Sequence, residues 1–133
     1  MNREEFLNNV AERAELSQEQ AETVTRAVLA TLAERISGGE ARDLAAQLPV
    51  PLGNPLLPAA EEAESFGLDE FVRRVAERAG ISRGEADRAV AAVLDTLRDA
   101  VTPGEFDHVL SQLPEEFKRL GVPAVRARGD DVP

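Results

Sequence analysis

The chain has 133 residues, with 25 acidic side chains against 15 basic ones and a formal net charge of −10. It contains no Cys, which excludes disulfides, thiolate nucleophiles, iron–sulfur clusters and Cys-type zinc sites, and its length fits one domain or two small ones that share a core. No apolar run approaches the roughly 20 residues of a membrane span, and the N-terminal sequence does not resemble a signal peptide. We therefore expect a cytoplasmic protein that contacts no membrane.

Two amphipathic helices are predicted at the start of the chain. Phe6, Val10 and Ala14 recur at helical spacing and predict the first. The second opens with Ser17 and Gln20 in a capping-box pattern, in which a hydroxyl and a side chain three residues later satisfy free amides of the first turn. Its predicted buried stripe consists of Ala21, Val24, Val28 and Leu32.

A third helix follows, and it opens with a second capping-box pattern at Ser37 and Glu40. It is expected to bury Leu44 and Leu48. Pro49 ends it, because proline disfavours a helical conformation in the residue before it.

Residues 53–67 form a Pro-rich linker in which we expect a short helix over 58–64. Leu52, Leu56 and Leu57 make this region too apolar for a flexible tether, so it is predicted to pack on the helices. The same three leucines are candidate contacts for a partner.

The second half of the chain repeats the first. Placing Glu5 over Glu70 aligns residues 5–49 with residues 70–114 without a gap. Such extended ungapped identity indicates an internal duplication. Identical pairs include Phe6/Phe71, Val10/Val75, Ser17/Ser82, Leu32/Leu97, Gly39/Gly104, Glu40/Glu105, Gln47/Gln112 and Pro49/Pro114. The second half therefore predicts capping boxes as well, at Ser82 with Glu85 and at Thr102 with Glu105.

No segment has the alternation of a β-strand, so the predicted fold is all-α. We expect six main helices, arranged as two pseudo-symmetric three-helix repeats that pack through their second helices into one bundle. The predicted divisions are repeat 1 (1–52), the linker (53–67), repeat 2 (68–120) and a loose C-terminal tail (121–133).

The chain offers few residues suited to catalysis. His108 stands where the first repeat has Asp43, and Glu105 and Asp107 would be its neighbours in a metal site. A single His among acids is a poor metal signature, and Glu105 is expected to act in a capping box, so we interpret His108 as a solvated surface residue. The sequence predicts no catalytic residue, metal or cofactor.

Arg13 and Arg78 are the most promising repeated polar residues, because Ala-Glu-Arg-Ala occurs in both halves (11–14 and 76–79). Their spacing from Phe6 and Phe71 places them near the buried face. The favoured interpretation is structural, with the Arg stem covering the core edge and its head pairing with an acid, Glu40 or Glu105. The alternative is a paired ligand or partner site.

Residues 70–97 resemble the first two helices of the histone-like bacterial protein HU. The matching features are the Ala-Glu-Arg-Ala segment, the following Ile81-Ser82 and the long second helix. HU continues into β-strands and basic DNA-clasping arms, whereas this chain continues into a third amphipathic helix with an acidic surface. The resemblance therefore implies helix packing and not DNA binding.

Over residues 4–120 the sequence is similar to the domain of unknown function 2267 family. The similarity is carried by the openings at Phe6 and Phe71, the second helices that end in Thr-Leu, and the Gln-Leu-Pro endings of both copies. It implies paired helical repeats in a prokaryotic cytoplasm and says nothing about a substrate. In place of an aromatic segment that many members carry after the first Leu-Pro, this chain has Leu52-Gly53-Asn54-Pro55.

The predicted function is that of a non-enzymatic acidic scaffold or regulatory interaction module, with a stress-related role as one hypothesis. We expect a protein partner, and a chain that is a monomer or a homodimer. Nucleic-acid binding in the manner of HU is disfavoured by the acidity, which repels phosphate. A third hypothesis is a ligand-binding or enzymatic bundle with a polar pocket between the repeats.

Overall fold

The computed structural model describes residues 1–120, which form seven α-helices, one turn of 3-10 helix and no β-strand. The predicted all-α class is confirmed. The helices are α1 (Arg3–Ala14), α2 (Gln18–Arg35), α3 (Gly38–Gln47), α4 (Leu68–Ala79), α5 (Arg83–Ala100), α6 (Pro103–Ser111) and α7 (Glu116–Leu120), with the 3-10 turn at Asn54–Leu56. The tail predicted over 121–133 lies outside the described residues.

Side chains at the helix ends determine where the long helices begin. The capping boxes predicted for the second helix of each half are confirmed: Ser17 accepts from the Gln20 amide of α2, and Ser82 accepts from the Glu85 amide of α5. In both boxes the third-position side chain bonds back to the cap amide. These reciprocal bonds satisfy two orphan amides at each helix start.

The core lies between α1, α2, α4 and α5. The first helix of each half packs on the second helix of both halves, so that α1 contacts α5 as well as α2, and α4 contacts α2 as well as α5. The predicted stripes are buried at this junction. Phe6 and Phe71 are fully covered, and full burial of such side chains contributes about 1.5–3 kcal/mol each relative to exposure.

The helices α3 and α6 meet on one side of this core, and their starts differ from the prediction. Ser37 and Thr102 cap as expected, accepting from the amides of Glu40 and Glu105. The acids do not bond back, so these capping boxes are incomplete. A glutamine from the opposite half replaces them: Gln112 Oε1 accepts from the Ser37 amide at 2.7 Å.

The equivalent bond is made at the other helix, where Gln47 Oε1 accepts from the Thr102 amide at 2.9 Å. Each third helix is therefore capped by the end of the other. Glu40 and Glu105 are released from the capping role that the sequence predicted for them.

The linker packs on the helices, but the short helix predicted over 58–64 was wrong, because this segment is not helical. Two tertiary contacts hold it: the Glu64 amide donates to the Glu34 carbonyl at 2.8 Å, and the Glu64 carboxylate meets Arg74 at 3.0 Å. The segment also runs across the start of α3, where a Cβ at Gly38 would overlap the Ala60 carbonyl oxygen. These contacts override the helix propensity of Ala59 and Ala60.

The short α7 was not predicted. Its Phe117 is fully buried and contacts the Phe71 ring edge-to-face, with 5.2 Å between ring centroids. Leu52, which stands at the equivalent position in the first half, is also buried. None of the described helices is long and apolar enough to cross a membrane.

Candidate functional site

Arg13 projects from α1 onto α5 of the other half. Its guanidinium donates to Thr96 Oγ1 at 3.0 Å and to the Asp99 carboxylate at 2.8 Å, with an Asp95 carboxylate oxygen 3.6 Å away. The buried Thr96 hydroxyl in turn donates to the Ala92 carbonyl at 2.8 Å. The arginine therefore completes the hydrogen bonding of a buried threonine at the junction of the halves.

Arg78 makes the corresponding contacts from α4 to α2. It donates to Thr31 Oγ1 at 2.8 Å and to the Glu34 carboxylate at 2.6 Å. Burial opposes the ionisation of Glu34, but hydrogen bonds from Arg78 and Arg74 outweigh it and lower the pKa of that carboxyl. Thr31 and Glu34 occupy the positions in the first half that Thr96 and Asp99 occupy in the second.

These contacts correct the acid partners expected for the arginines. Neither Arg13 nor Arg78 pairs with Glu40 or Glu105; each instead pairs with acids on the long helix of the opposite half. Their side chains remain about one-third exposed.

Two of the three leucines expected to contact a partner are core residues. Leu52 is 7% exposed and Leu56 is fully buried, and both belong to the main apolar cluster. Leu57 is 44% exposed, and Val50, which sequence reasoning did not single out, is 89% exposed. Both line a groove of about 420 Å³, whose other lining residues are Arg42, Ala45, Ala46, Leu48, Gly53 and Asn54.

Val50 also lines a second, more polar cavity of about 610 Å³ between the start of α1 and the start of α2. Its acidic lining residues are Glu4, Glu19 and Glu22. Glu22 is paired with Arg3 at 2.7 Å and with Arg26 at 3.2 Å. An apolar surface and an acidic one therefore meet at Val50.

The helices α3 and α6 bring Glu40 and Glu105 together. The two residues are 9% and 7% exposed, and Oε2 of each is buried without a hydrogen-bond partner. No ion pair reaches either carboxylate from the described part of the chain. Two acids are thus buried side by side without a compensating base, an arrangement that is costly while both are ionised.

The electrostatics of Glu105 reflect this arrangement. Burial, together with the hydrogen bond to Glu40 and the negative charges of Glu40 and Asp43, raises the pKa of Glu105 to about 8. At neutral pH the protonated form of Glu105 is therefore favoured. In a carboxyl pair of this kind only one group ionises readily.

His108 belongs to the same cluster, one helical turn after Glu105. One ligand atom from each of Glu40, Glu105 and His108 lies within 4.8 Å of the others. The imidazole is exposed, as the sequence predicted, whereas Asp107, which only the disfavoured metal interpretation would have included, is not a member of the cluster. Sequence reasoning missed Glu40 because its partner lies in the other half of the chain.

The sequence does contain a signal for this cluster. Glu40 and Asp43 in the first half align with Glu105 and His108 in the second, which gives a Glu-x-x-Asp and a Glu-x-x-His at the same register. Residues three apart share one face of a helix. These two pairs can be recognised as one site only when it is known that α3 and α6 contact each other.

No curated protein is detectably similar to the chain. A family model described as "Uncharacterized conserved protein (DUF2267)" matches residues 3–120, from the first residue of α1 to the last residue of α7. The chain belongs to the DUF2267 family.

Proposed function

We propose that this chain is a non-enzymatic interaction module that binds a basic, aliphatic segment of a protein partner at the surface around Val50. The observation that carries the proposal is the exposure of Val50, 89%, at the place where the apolar groove and the acidic cavity meet. A segment with aliphatic side chains at one end and Lys or Arg at the other matches both parts.

The apolar part is unusual for this surface. Apart from Met1, Val50 and Leu57 are the exposed large apolar side chains of residues 1–120. Clustered apolar exposure around a groove is typical of interaction sites, whereas single exposed residues are ordinary.

The acidic part favours a basic partner. Glu4 and Glu19 line the second cavity and make no ion pair with the described residues, and the whole chain carries a charge of −10. Complementary charge speeds encounter and selects partners more than it adds affinity. Selection of the partner by charge, with affinity supplied by the apolar groove, fits a scaffold or regulatory module.

We also propose that the body is a pseudo-two-fold pair of three-helix repeats. Equal helix lengths support it, with 12 residues in α1 and α4 and 18 in α2 and α5. The matching contacts of Arg13 and Arg78, which occupy equivalent positions in the two halves, support it further. The position equivalent to Val50 is Glu115, so the proposed partner surface occurs once per chain.

A binding titration tests the partner proposal. Two fluorescent peptides are compared, one with Leu and Lys in an amphipathic pattern and one with Glu in place of Lys. We expect the Lys peptide to bind and the Glu peptide not to, with weaker binding as salt is raised from about 0.05 to about 0.15 M. Sedimentation of the free chain in the same buffers distinguishes the monomer from the homodimer.

A pair of variants separates groove binding from attraction to the net charge. The double variant Val50→Asp with Leu57→Asp removes the apolar contacts and adds two negative charges. It should lower the affinity for the Lys peptide at least about tenfold. Asn8→Asp with Thr23→Asp adds the same charge at exposed positions elsewhere, and it should leave binding equal or slightly tighter. Unchanged or tighter binding by the Val50/Leu57 variant would refute the proposal. Leu56 is unsuitable for this test because it is buried.

The HU-like and ligand-pocket hypotheses have less support. Residues 1–120 contain no strand that could extend as a DNA-clasping arm. Arg13 and Arg78, the residues of the ligand hypothesis, are bonded to Thr96 and Thr31. A salt-dependent affinity for duplex DNA in the same assay would reverse this ranking.

A further inference from the structure

We propose that Glu40, Glu105 and His108 bind one divalent transition-metal ion between α3 and α6. The site is distinct from the partner surface around Val50 and does not depend on it. It would consist of one carboxylate from the first half of the chain and a carboxylate and an imidazole from the second.

The helix geometry brings these groups together. Glu105 and His108 are three residues apart in α6 and therefore share one face, and Glu40 approaches from α3. The three ligand atoms lie within 4.8 Å of one another, close enough for small side-chain rotations to bring them around one ion. Metal–ligand distances of about 2.0–2.2 Å require this proximity.

The buried oxygens are a second, independent observation that points to a cation. Glu40 and Glu105 are each more than nine-tenths buried, and each has an Oε2 atom without a hydrogen-bond partner. Buried polar atoms in native proteins are nearly always satisfied, so two unsatisfied carboxylate oxygens in one cluster call for an explanation. An ion bound by this cluster would supply a partner for both carboxylates.

Charge favours a dication over a proton as the occupant. A single proton would neutralise one carboxylate and would not involve His108. A dication neutralises both carboxylates and uses the imidazole as its third ligand. Asp43, whose negative charge acts on Glu105, adds further attraction for a cation.

The ligand types indicate the class of metal. Two carboxylates and one imidazole suit Zn²⁺, Mn²⁺, Fe²⁺ or Co²⁺ better than Mg²⁺ or Ca²⁺, which prefer oxygen ligands alone. Three protein ligands leave positions for water, and the exposed imidazole gives the ion a path from solvent.

Calorimetric titration of the full-length, tag-free, chelator-treated chain with Zn²⁺ tests the proposal. We expect one Zn²⁺ per chain and a higher melting temperature with the ion than without it. Mg²⁺ should bind at least about a hundredfold more weakly. Added Co²⁺ should give a visible absorption band that the His108→Ala variant lacks.

Variants identify the ligands. Each of three variants should lower the affinity for Zn²⁺ at least about tenfold: Glu105→Gln, Glu40→Gln and His108→Ala. Even the loss of a residue that only supports a metal ligand lowers metal affinity by that factor. Asp107→Asn makes the same charge change on α6 outside the cluster, and it should bind like the wild type. The glutamine variants keep the shape of the side chain, and circular dichroism confirms their folding. Absence of a one-to-one complex, equal affinity for Mg²⁺, or unchanged affinity in Glu105→Gln would each overturn the proposal.

Discussion

The arginine contacts and the carboxylate pair are two junctions between the same halves of the chain, and they differ in how their polar groups are satisfied. Arg13 and Arg78 each meet a threonine and an acid of the opposite half, with donors matched to acceptors. Glu40 and Glu105 meet each other, and each keeps one unsatisfied oxygen. The first junction is complementary, and the second places like charges together.

Position relative to the proposed pseudo-two-fold axis explains the difference. A residue away from the axis meets a different residue of the other half, so a duplicated sequence can place a base opposite an acid and form that contact twice. A residue on the axis meets its own equivalent, and an acid there necessarily faces an acid. The second half carries His108 where the first half has Asp43, so an imidazole lies beside the pair.

The largest change in the free energy of unfolding is expected from Glu105→Gln in the metal-free protein, and it should depend on pH. With its pKa at about 8 in the fold and near 4.5 when unfolded, Glu105 binds more protons in the folded state between these values. The free energy of unfolding of the wild type should therefore fall as pH rises through this window, by up to about 1.4 kcal/mol per pH unit and a few kcal/mol in all.

In Glu105→Gln that fall should disappear, which makes the variant more stable than the wild type at pH 9 and similar to it at pH 4.5. Urea unfolding across pH with a chelator present measures the effect. Asp107→Asn, an exposed neighbour, should retain the wild-type slope. Parallel slopes in the wild type and Glu105→Gln would mean that the fold does not raise the pKa of Glu105.

A smaller change in stability is expected from Gly38→Ala, which tests the packing of Ala60 against the start of α3. The added Cβ would overlap the Ala60 carbonyl, and overpacking of this kind costs about 1–3 kcal/mol. Gly39→Ala is the matched control, because its Cβ would meet no atom within 4 Å and alanine gains helix propensity of at most about 1 kcal/mol. Thermal unfolding of both variants checks this; a stabilised Gly38→Ala would show that the linker does not pack there.

The smallest changes in the free energy of unfolding are expected from substitutions of Arg13 and Arg78. Arg13→Met and Arg78→Met should each lower the free energy of unfolding by about 1–2 kcal/mol, because each leaves a buried threonine hydroxyl without a donor. Arg26→Met, which removes an exposed pair within α2, should change it by less than about 0.5 kcal/mol. If all three variants lost the same free energy of unfolding, the two contacts between the halves would contribute no more than ordinary surface pairs.

Much of the fold followed from local patterns. The spacing of Phe6 and Val10, the boxes at Ser17 and Ser82, and the stop at Pro49 are short-range signals. The structure reproduces the helices and caps they predict. Such features are determined within one or two helical turns, so a single sequence is enough to read them.

The cluster of Glu40, Glu105 and His108 is formed by contacts between the two halves of the chain, which local sequence patterns do not predict. Glu40 was interpreted as a capping acid because the three-residue spacing from Ser37 is right, but Gln112 from the other half takes that role. The non-helical course of 58–64 likewise follows from its contacts with Glu34 and Arg74. In both places a distant partner outweighs a sound local signal.

The packing of each first helix on the long helix of the opposite half has a consequence for how the chain folds. Neither half contains all the helices against which its own first helix packs. As separate peptides the halves could complete their cores only by associating, and their stability would rise with concentration. Joined through residues 53–67, they meet at a fixed effective concentration, so folding becomes a first-order event at any dilution.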